Sequence, residues 1–68
     1  MASLKINGED KIFENVPSTL NKLLEVLNVN EATVVAEVNG QIVPRGNFHN
    51  TVLQDGNNIE LIRFVGGG

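Results

Sequence analysis

Ile59-Glu60-Leu61-Ile62-Arg63-Phe64-Val65-Gly66-Gly67-Gly68 is the stretch around which the rest of the chain can be arranged. Apolar and β-branched residues run through Val65 and spell a strand with little exposed backbone. Ile59 and Leu61 point one way; Ile62 and Phe64 point the other, with Glu60 on their side. A strand that is apolar on both faces belongs in the middle of a sheet, with one face under a helix. Its other face leaves Ile62 and Phe64 outward, either covered by a loop or available as a docking surface. Three glycines follow and the sequence stops. With nothing after them they form no turn, so residues 66–68 are expected to be a disordered, exposed tail. A frayed end without a role is the commoner fate of a terminus, but three glycines directly after a strand weigh against it. A free α-carboxylate on such a tail is unhindered and can be threaded into a narrow cleft. A small protein can in this way offer its own terminus as a substrate.

Working outward, Asp55-Gly56 is a turn leading into this strand, and Thr51-Val52-Leu53 reads as a short strand before it. Asp55 is turn chemistry before it is a metal ligand. Arg45 to Asn50 is irregular, with Phe48 as a plug for one end of the core and His49 as a surface histidine. Val34 to Val38 is a strand, Asn39-Gly40 a tight turn, and Gln41 to Val43 a short return. Pro44 removes a ladder donor and ends that return at a sheet edge. Further back, Leu20, Leu23, Leu24 and Leu27 fall at i, i+3, i+4 and i+7, which predicts a helix over 19–27 with one apolar stripe. Ser18 or Thr19 can cap it. At the start, Leu4 and Ile6 alternate with polar residues, Asn7-Gly8 demands a type I′ turn, and Lys11 to Glu14 returns. The order of elements is α+β: one helix packed on one face of a mixed sheet. The expected core is Leu4, Ile6, Leu20, Leu23, Leu24, Leu27, Val38, Ile59 and Leu61.

With 68 residues the chain makes one small domain, here 1–65, followed by the tail. No apolar run reaches membrane-spanning length and no signal peptide opens the chain, so a cytoplasmic protein is expected. A net charge of −3 with scattered basic residues disfavours nucleic acid. There is no Cys, one His, no Trp and no Tyr. Thiolate nucleophiles, His-pair metal sites and base-stacking platforms are excluded, and a catalyst in its own right is not expected.

The helix around Thr19-Leu20 and Leu23-Leu24, the run Val38-Asn39-Gly40-Gln41-Ile42-Val43-Pro44-Arg45, the later Asp55-Gly56 and the Gly67-Gly68 end together resemble the ThiS family. The glycine pair is shared by ubiquitin-like proteins generally; the run from Val38 to Arg45 is the more specific element. The resemblance spans essentially the whole chain and implies a ubiquitin-like β-grasp fold and a part in making the thiazole ring of thiamine. It implies a ThiF-type partner that uses ATP and magnesium to adenylate the carboxylate of Gly68, with no cofactor bound by the carrier itself. Sulfur from a cysteine-desulfurase route then replaces AMP to give a thiocarboxylate, which thiazole synthase, ThiG, receives. Gly67 and Gly66 complete the tail signature. The resemblance assigns no role to Ile62, Phe64 or Arg45; Ile62 and Phe64 are our expected docking patch for the activating enzyme. Alternatives with the same terminal chemistry are a carrier like the molybdopterin synthase small subunit, another ubiquitin-like modifier, or a plain binding module. Chemistry agrees: without Cys the chain holds no persulfide, so covalent sulfur must sit on an activated carboxylate.

Overall fold

The computed structural model describes residues 1–63; the expectations for Phe64, Val65 and the glycines lie outside the described residues. The strands are β1 (Ala2–Ile6), β2 (Glu9–Phe13), β3 (Val34–Val38), β4 (Gln41–Val43) and β5 (Asn58–Arg63), with one helix, α1 (Leu20–Val26). They form a five-stranded sheet in the order β2-β1-β5-β3-β4. Only β1 and β5 run parallel; the other neighbours are antiparallel.

Both hairpins follow from their Asn-Gly pairs. Asn7 and Gly8 sit at φ 50° and 83°, and Asn39 and Gly40 at 52° and 85°, the doubly positive pattern of a type I′ turn. Such a turn lets pairing resume at once, so Ile6 faces Glu9 and β2 starts two residues earlier than Lys11. On the other side Val38 faces Gln41, and β4 stops at Val43, one residue before Pro44, as an edge strand.

The leucine stripe folds as α1, with Leu20, Leu23 and Leu24 buried and Leu27 packed at the margin. Thr19 takes the N-cap position, yet its hydroxyl bonds the side-chain oxygen of Asn21 rather than a helix N–H. The expected side-chain cap is therefore replaced by backbone. The N–H groups of Leu20 and Asn21 donate to the carbonyls of Thr51 (2.9 Å) and Phe48 (3.2 Å). This accounts for a second difference. Thr51 to Leu53 is not a sheet strand; Val52 makes a single bridge to Thr19, and Leu53 N–H donates to Ser18 O at 3.1 Å. The segment is consumed in closing the helix start. At the other end Asn28 adopts φ 60°, its N–H reaches Glu25 O (3.0 Å), and Val29 N–H reaches Leu24 O (2.9 Å). That is a Schellman motif with asparagine in the left-handed position.

The core lies between α1 and one sheet face: Leu4, Ile6, Leu20, Leu23, Leu24, Val34, Ala36, Phe48, Leu53 and Ile59. Phe48 is the expected plug. Val34, Ala36 and Leu53 join the core, whereas Leu27, Val38 and Leu61 are half-buried and pack against it. Val34 and Ala36 share a face with Val38 by strand alternation, but Val38 is covered only in part. Among the described residues no helix is long and apolar enough to cross a membrane.

Leu24 is 1% exposed. Leu24→Ala is expected to lower unfolding free energy by about 2–5 kcal/mol in urea titration, and a variant melting like the parent would remove α1 from the core.

Candidate functional site

The candidate site grows from β5, because the tail follows directly from that strand. Strand β3 pairs with β5 from Val34↔Arg63 to Val38↔Ile59. Strand β1 pairs only through Lys5↔Asn58 and Ile6↔Ile59 before its chain turns away at Asn7. Two asparagine side chains supply what the ladders lack. The Leu61 N–H donates to Asn7 Oδ1 and the Asn58 N–H to Asn39 Oδ1, each at 2.8 Å. The same asparagines donate their backbone N–H groups to Ile59 O (2.9 Å) and Asn58 O (2.7 Å). Each Asn-Gly turn thus shapes a hairpin and grips β5. These two gripping roles escaped the sequence reading, because an Asn-Gly pair announces a turn but not the strand its amide will reach.

The entry to β5 is held similarly. Asp55 Oδ1 accepts the Ser3 N–H (2.8 Å), and Gly56 N–H donates to Ser3 O (2.7 Å). Asp55 is engaged in turn and strand contacts, as its Asp-Gly context suggested. Arg45, left without a role by the sequence, donates from Nε to Glu31 O (3.0 Å) and from Nη2 to Ala32 O (3.3 Å). It joins the short 3-10 turn Arg45–Asn47 to the one at Glu31–Thr33. His49 is exposed in the loop after Phe48.

Strand alternation divides β5. Ile59 is fully buried and Leu61 half-buried beneath α1, whereas Glu60 and Ile62 face away from the helix. Ile62 is 53% exposed and lies opposite the half-buried Val35. Its expected partner in a patch, Phe64, and the expected tail residues Gly66, Gly67 and Gly68 lie outside the described residues. Among the described residues, no three His, Asp or Glu side chains gather into a metal-binding group. What the structure shows up to Arg63 is a strand paired with β3 along its length and held at its start by β1 and two asparagine amides.

A mixed five-stranded sheet with a parallel central pair, crossed on one face by a single helix, defines a β-grasp domain. The ThiS family model matches residues 3–68. The crystal structure of a thiamine biosynthesis protein (ThiS) from Geobacter metallireducens superposes with a TM-score of 0.81 at 32% identity, covering 97% of this chain and 99% of that one. The sulfur carrier protein ThiS of Bacillus subtilis is 32% identical over 65 residues, 96% of this chain and 98% of its own length. A thiazole synthase of Paramagnetospirillum magneticum is 37% identical over 65 residues, and there the chain spans only 20% of the relative's length. The chain belongs to the ThiS family of sulfur carrier proteins of thiamine biosynthesis.

Asn7 offers a clean test of the grip on β5. Asn7→Gly keeps a residue content with positive φ and deletes only the amide, so it is expected to cost about 0.5–1.5 kcal/mol in urea titration. Amide exchange at Leu61 should quicken, and unchanged protection there would show that the Oδ1 contact does not hold the strand. Ile62→Asp should leave the melting temperature nearly unchanged, since the side chain is more than half exposed. A large fall would place Ile62 in the core.

Proposed function

We propose that the carboxylate of Gly68 is the atom group that carries sulfur, and that a ThiF-type enzyme activates it. In this reading a carboxylate oxygen attacks the α-phosphorus of ATP, the α–β anhydride bond breaks, and pyrophosphate leaves. Magnesium and the enzyme's positive groups stabilise the transferring charge. A sulfur nucleophile from a cysteine-desulfurase route then attacks the acyl carbon; a C–S bond forms and AMP departs. A persulfide donor leaves an acyl disulfide, which a thiol cleaves to the thiocarboxylate. The carrier contributes reach and recognition, while its partners contribute the catalytic groups.

The observation that carries this reading is the match to the ThiS family running to residue 68 in a chain without Cys. Covalently held sulfur in such a chain requires an acyl position. Thiazole synthase is the proposed recipient. The Paramagnetospirillum magneticum thiazole synthase that contains a stretch resembling this chain supports that choice, because a shared polypeptide raises the effective concentration of partners that must meet. In this reading the reaction takes place in the cytoplasm. Ile62, with Phe64, is the proposed docking patch for the activating enzyme. The thiamine biosynthesis roles of the relatives favour this recipient over a molybdopterin synthase.

Intact-mass measurement of the protein isolated from its host should reveal a fraction with one oxygen replaced by sulfur at the terminus. The tail permits a sharper test. Removing Gly68 leaves Gly66-Gly67 as the end, preserving local chemistry but shortening reach by about 3.5 Å. Misplacement of about 1 Å can cost roughly a hundredfold. The truncated protein should bind the activating enzyme yet support little ATP–pyrophosphate exchange, whereas Gly68→Ala keeps the reach and tests crowding alone. Full exchange after truncation would sink the fixed-reach mechanism. Ile62→Asp should weaken adenylation while the domain stays folded.

A further inference from the structure

Three Asx-Gly pairs occur in the chain: Asn7-Gly8, Asn39-Gly40 and Asp55-Gly56. In each, the side-chain oxygen is taken by a backbone N–H distant in sequence. For the two asparagines this occupancy has a chemical meaning, because asparagine before glycine is prone to lose ammonia. No side chain shields the glycine nitrogen. That nitrogen, its proton gone to water, attacks Asn Cγ; a Cγ–N bond forms, the Cγ–NH2 bond breaks, and ammonia leaves behind a succinimide ring. Water then opens the ring at either carbonyl to give aspartate or isoaspartate, with NH2 exchanged for OH and no change of oxidation state. Both asparagines and both glycines are exposed, so water reaches them freely.

Two features of the fold keep the ring from closing. Asn7 and Asn39 sit at φ 50° and 52° in type I′ turns, and the mirror image of a type I turn puts ψ at about +30°. At that ψ the glycine nitrogen lies on the far side of the Cα–C bond from Cβ, whereas a five-membered ring needs the two nearly eclipsed. The second lock is the Oδ1 contact at 2.8 Å, from Leu61 N–H to Asn7 and from Asn58 N–H to Asn39. Ring closure therefore waits for the turn to open and for β5 to let go. The two locks differ in strength. Asn39 is bonded through backbone and side chain to Asn58, next to a ladder that runs on to Val34↔Arg63. Asn7 is bonded to Ile59 and Leu61 at the end of a parallel pairing of only two residue pairs. Opening at Asn7 requires less structure to come apart.

We propose that Asn7 is a deamidation site gated by β5, and that it reacts before Asn39. The inference stands apart from the tail chemistry. Its two products diverge. Aspartate at position 7 keeps an oxygen where Leu61 N–H finds its acceptor, and adds charge to that bond. Isoaspartate routes the main chain through the former side chain and so adds a methylene to a turn that closes with two residues. The acceptor for Leu61 N–H is displaced and the Ile6↔Glu9 register is disturbed. A transient opening is thereby made permanent: a chain that has released β5 long enough to react no longer grips it.

The test incubates the full chain in mildly alkaline buffer and follows both products at each position by peptide mapping with mass spectrometry. Ion exchange separates them from the parent, since each event adds one negative charge to a chain of −3. Synthetic peptides of residues 4–12 and 36–44 give the unprotected rates in the same buffers. In the folded chain Asn7 should react at least about tenfold more slowly than in its peptide, and Asn39 about tenfold more slowly again, each decade being about 1.4 kcal/mol of opening free energy. In urea that unfolds the chain, both should reach their peptide rates. Leu61→Ala keeps the N–H and removes packing from a half-buried side chain. It should raise the Asn7 rate and quicken amide exchange at Leu61 together. The isolated isoaspartyl form should melt below the parent, and Asn7→Asp close to it. Equal folded and peptide rates at Asn7 overturn the lock. Asn39 reacting as fast as Asn7, or low urea quickening Leu61 exchange but not the Asn7 reaction, overturns gating by β5. That urea comparison on the parent decides the matter even where Leu61→Ala fails to fold.

Discussion

Strand β5 is hydrogen-bonded along both edges, and most of the remaining structure answers that demand. On one side β3 and the Asn39 contacts accompany it from Asn58 to Arg63 in antiparallel register. On the other, β1 runs parallel for two residue pairs and then hands over to the amide of Asn7. A parallel neighbour cannot be reached by a tight turn, so the chain between β1 and β5 must cross a face of the sheet. The crossing segment supplies α1, and α1 supplies the cover that Ile59, Leu4 and Ala36 require. The fold is thus a consequence of one strand being placed in the middle.

A helix of seven residues would not persist alone in water. Here both ends are closed by specific groups: the carbonyls of Phe48 and Thr51 at the start, and the left-handed Asn28 at the finish. Three buried leucines then fasten the helix to the sheet. Because a single helix covers a single face, the opposite face stays open to partners. The domain divides geometrically at β5: Ile59 and Leu61 are covered on one side, while Glu60 and Ile62 stand exposed on the other.

Much of this was legible before any coordinates. The alternation in β5, the leucine spacing of α1 and the two Asn-Gly pairs each specify local geometry with residue-level physics, and over the described residues each element forms within two residues of its expected bounds. Thr51 to Leu53 misled because three residues of mixed polarity look alike whether they join a sheet or bond a helix start. The core position of Val34 and Ala36 depends on how the helix crosses the sheet, which no periodicity within β3 encodes. The opposition of Glu37 and Glu60 needed the β3–β5 register, a long-range quantity invisible in either segment. For the site, the outward exposure of Ile62 on β5 was readable from alternation, while the glycine end lies outside the described residues. The asparagine amides that hold β5 became apparent only once neighbours distant in sequence were brought together.

Hydrogen bonds that tie β1 and its turn to β5 and its entry bridge separations of 52 and 54 residues, from Ser3 to Asp55 and from Asn7 to Leu61. Closing such a span is entropically late, and topologies dominated by distant pairings fold more slowly than local ones. During synthesis the hairpin β1–β2 and helix α1 emerge first, but the sheet has no centre until β5 arrives between strands already made. The outward face, with its carboxylates and aliphatic side chains in register, comes into being at that same moment. A chain whose β5 has not docked therefore lacks both its sheet centre and the outward rows that pair Glu37 with Glu60 and Val35 with Ile62.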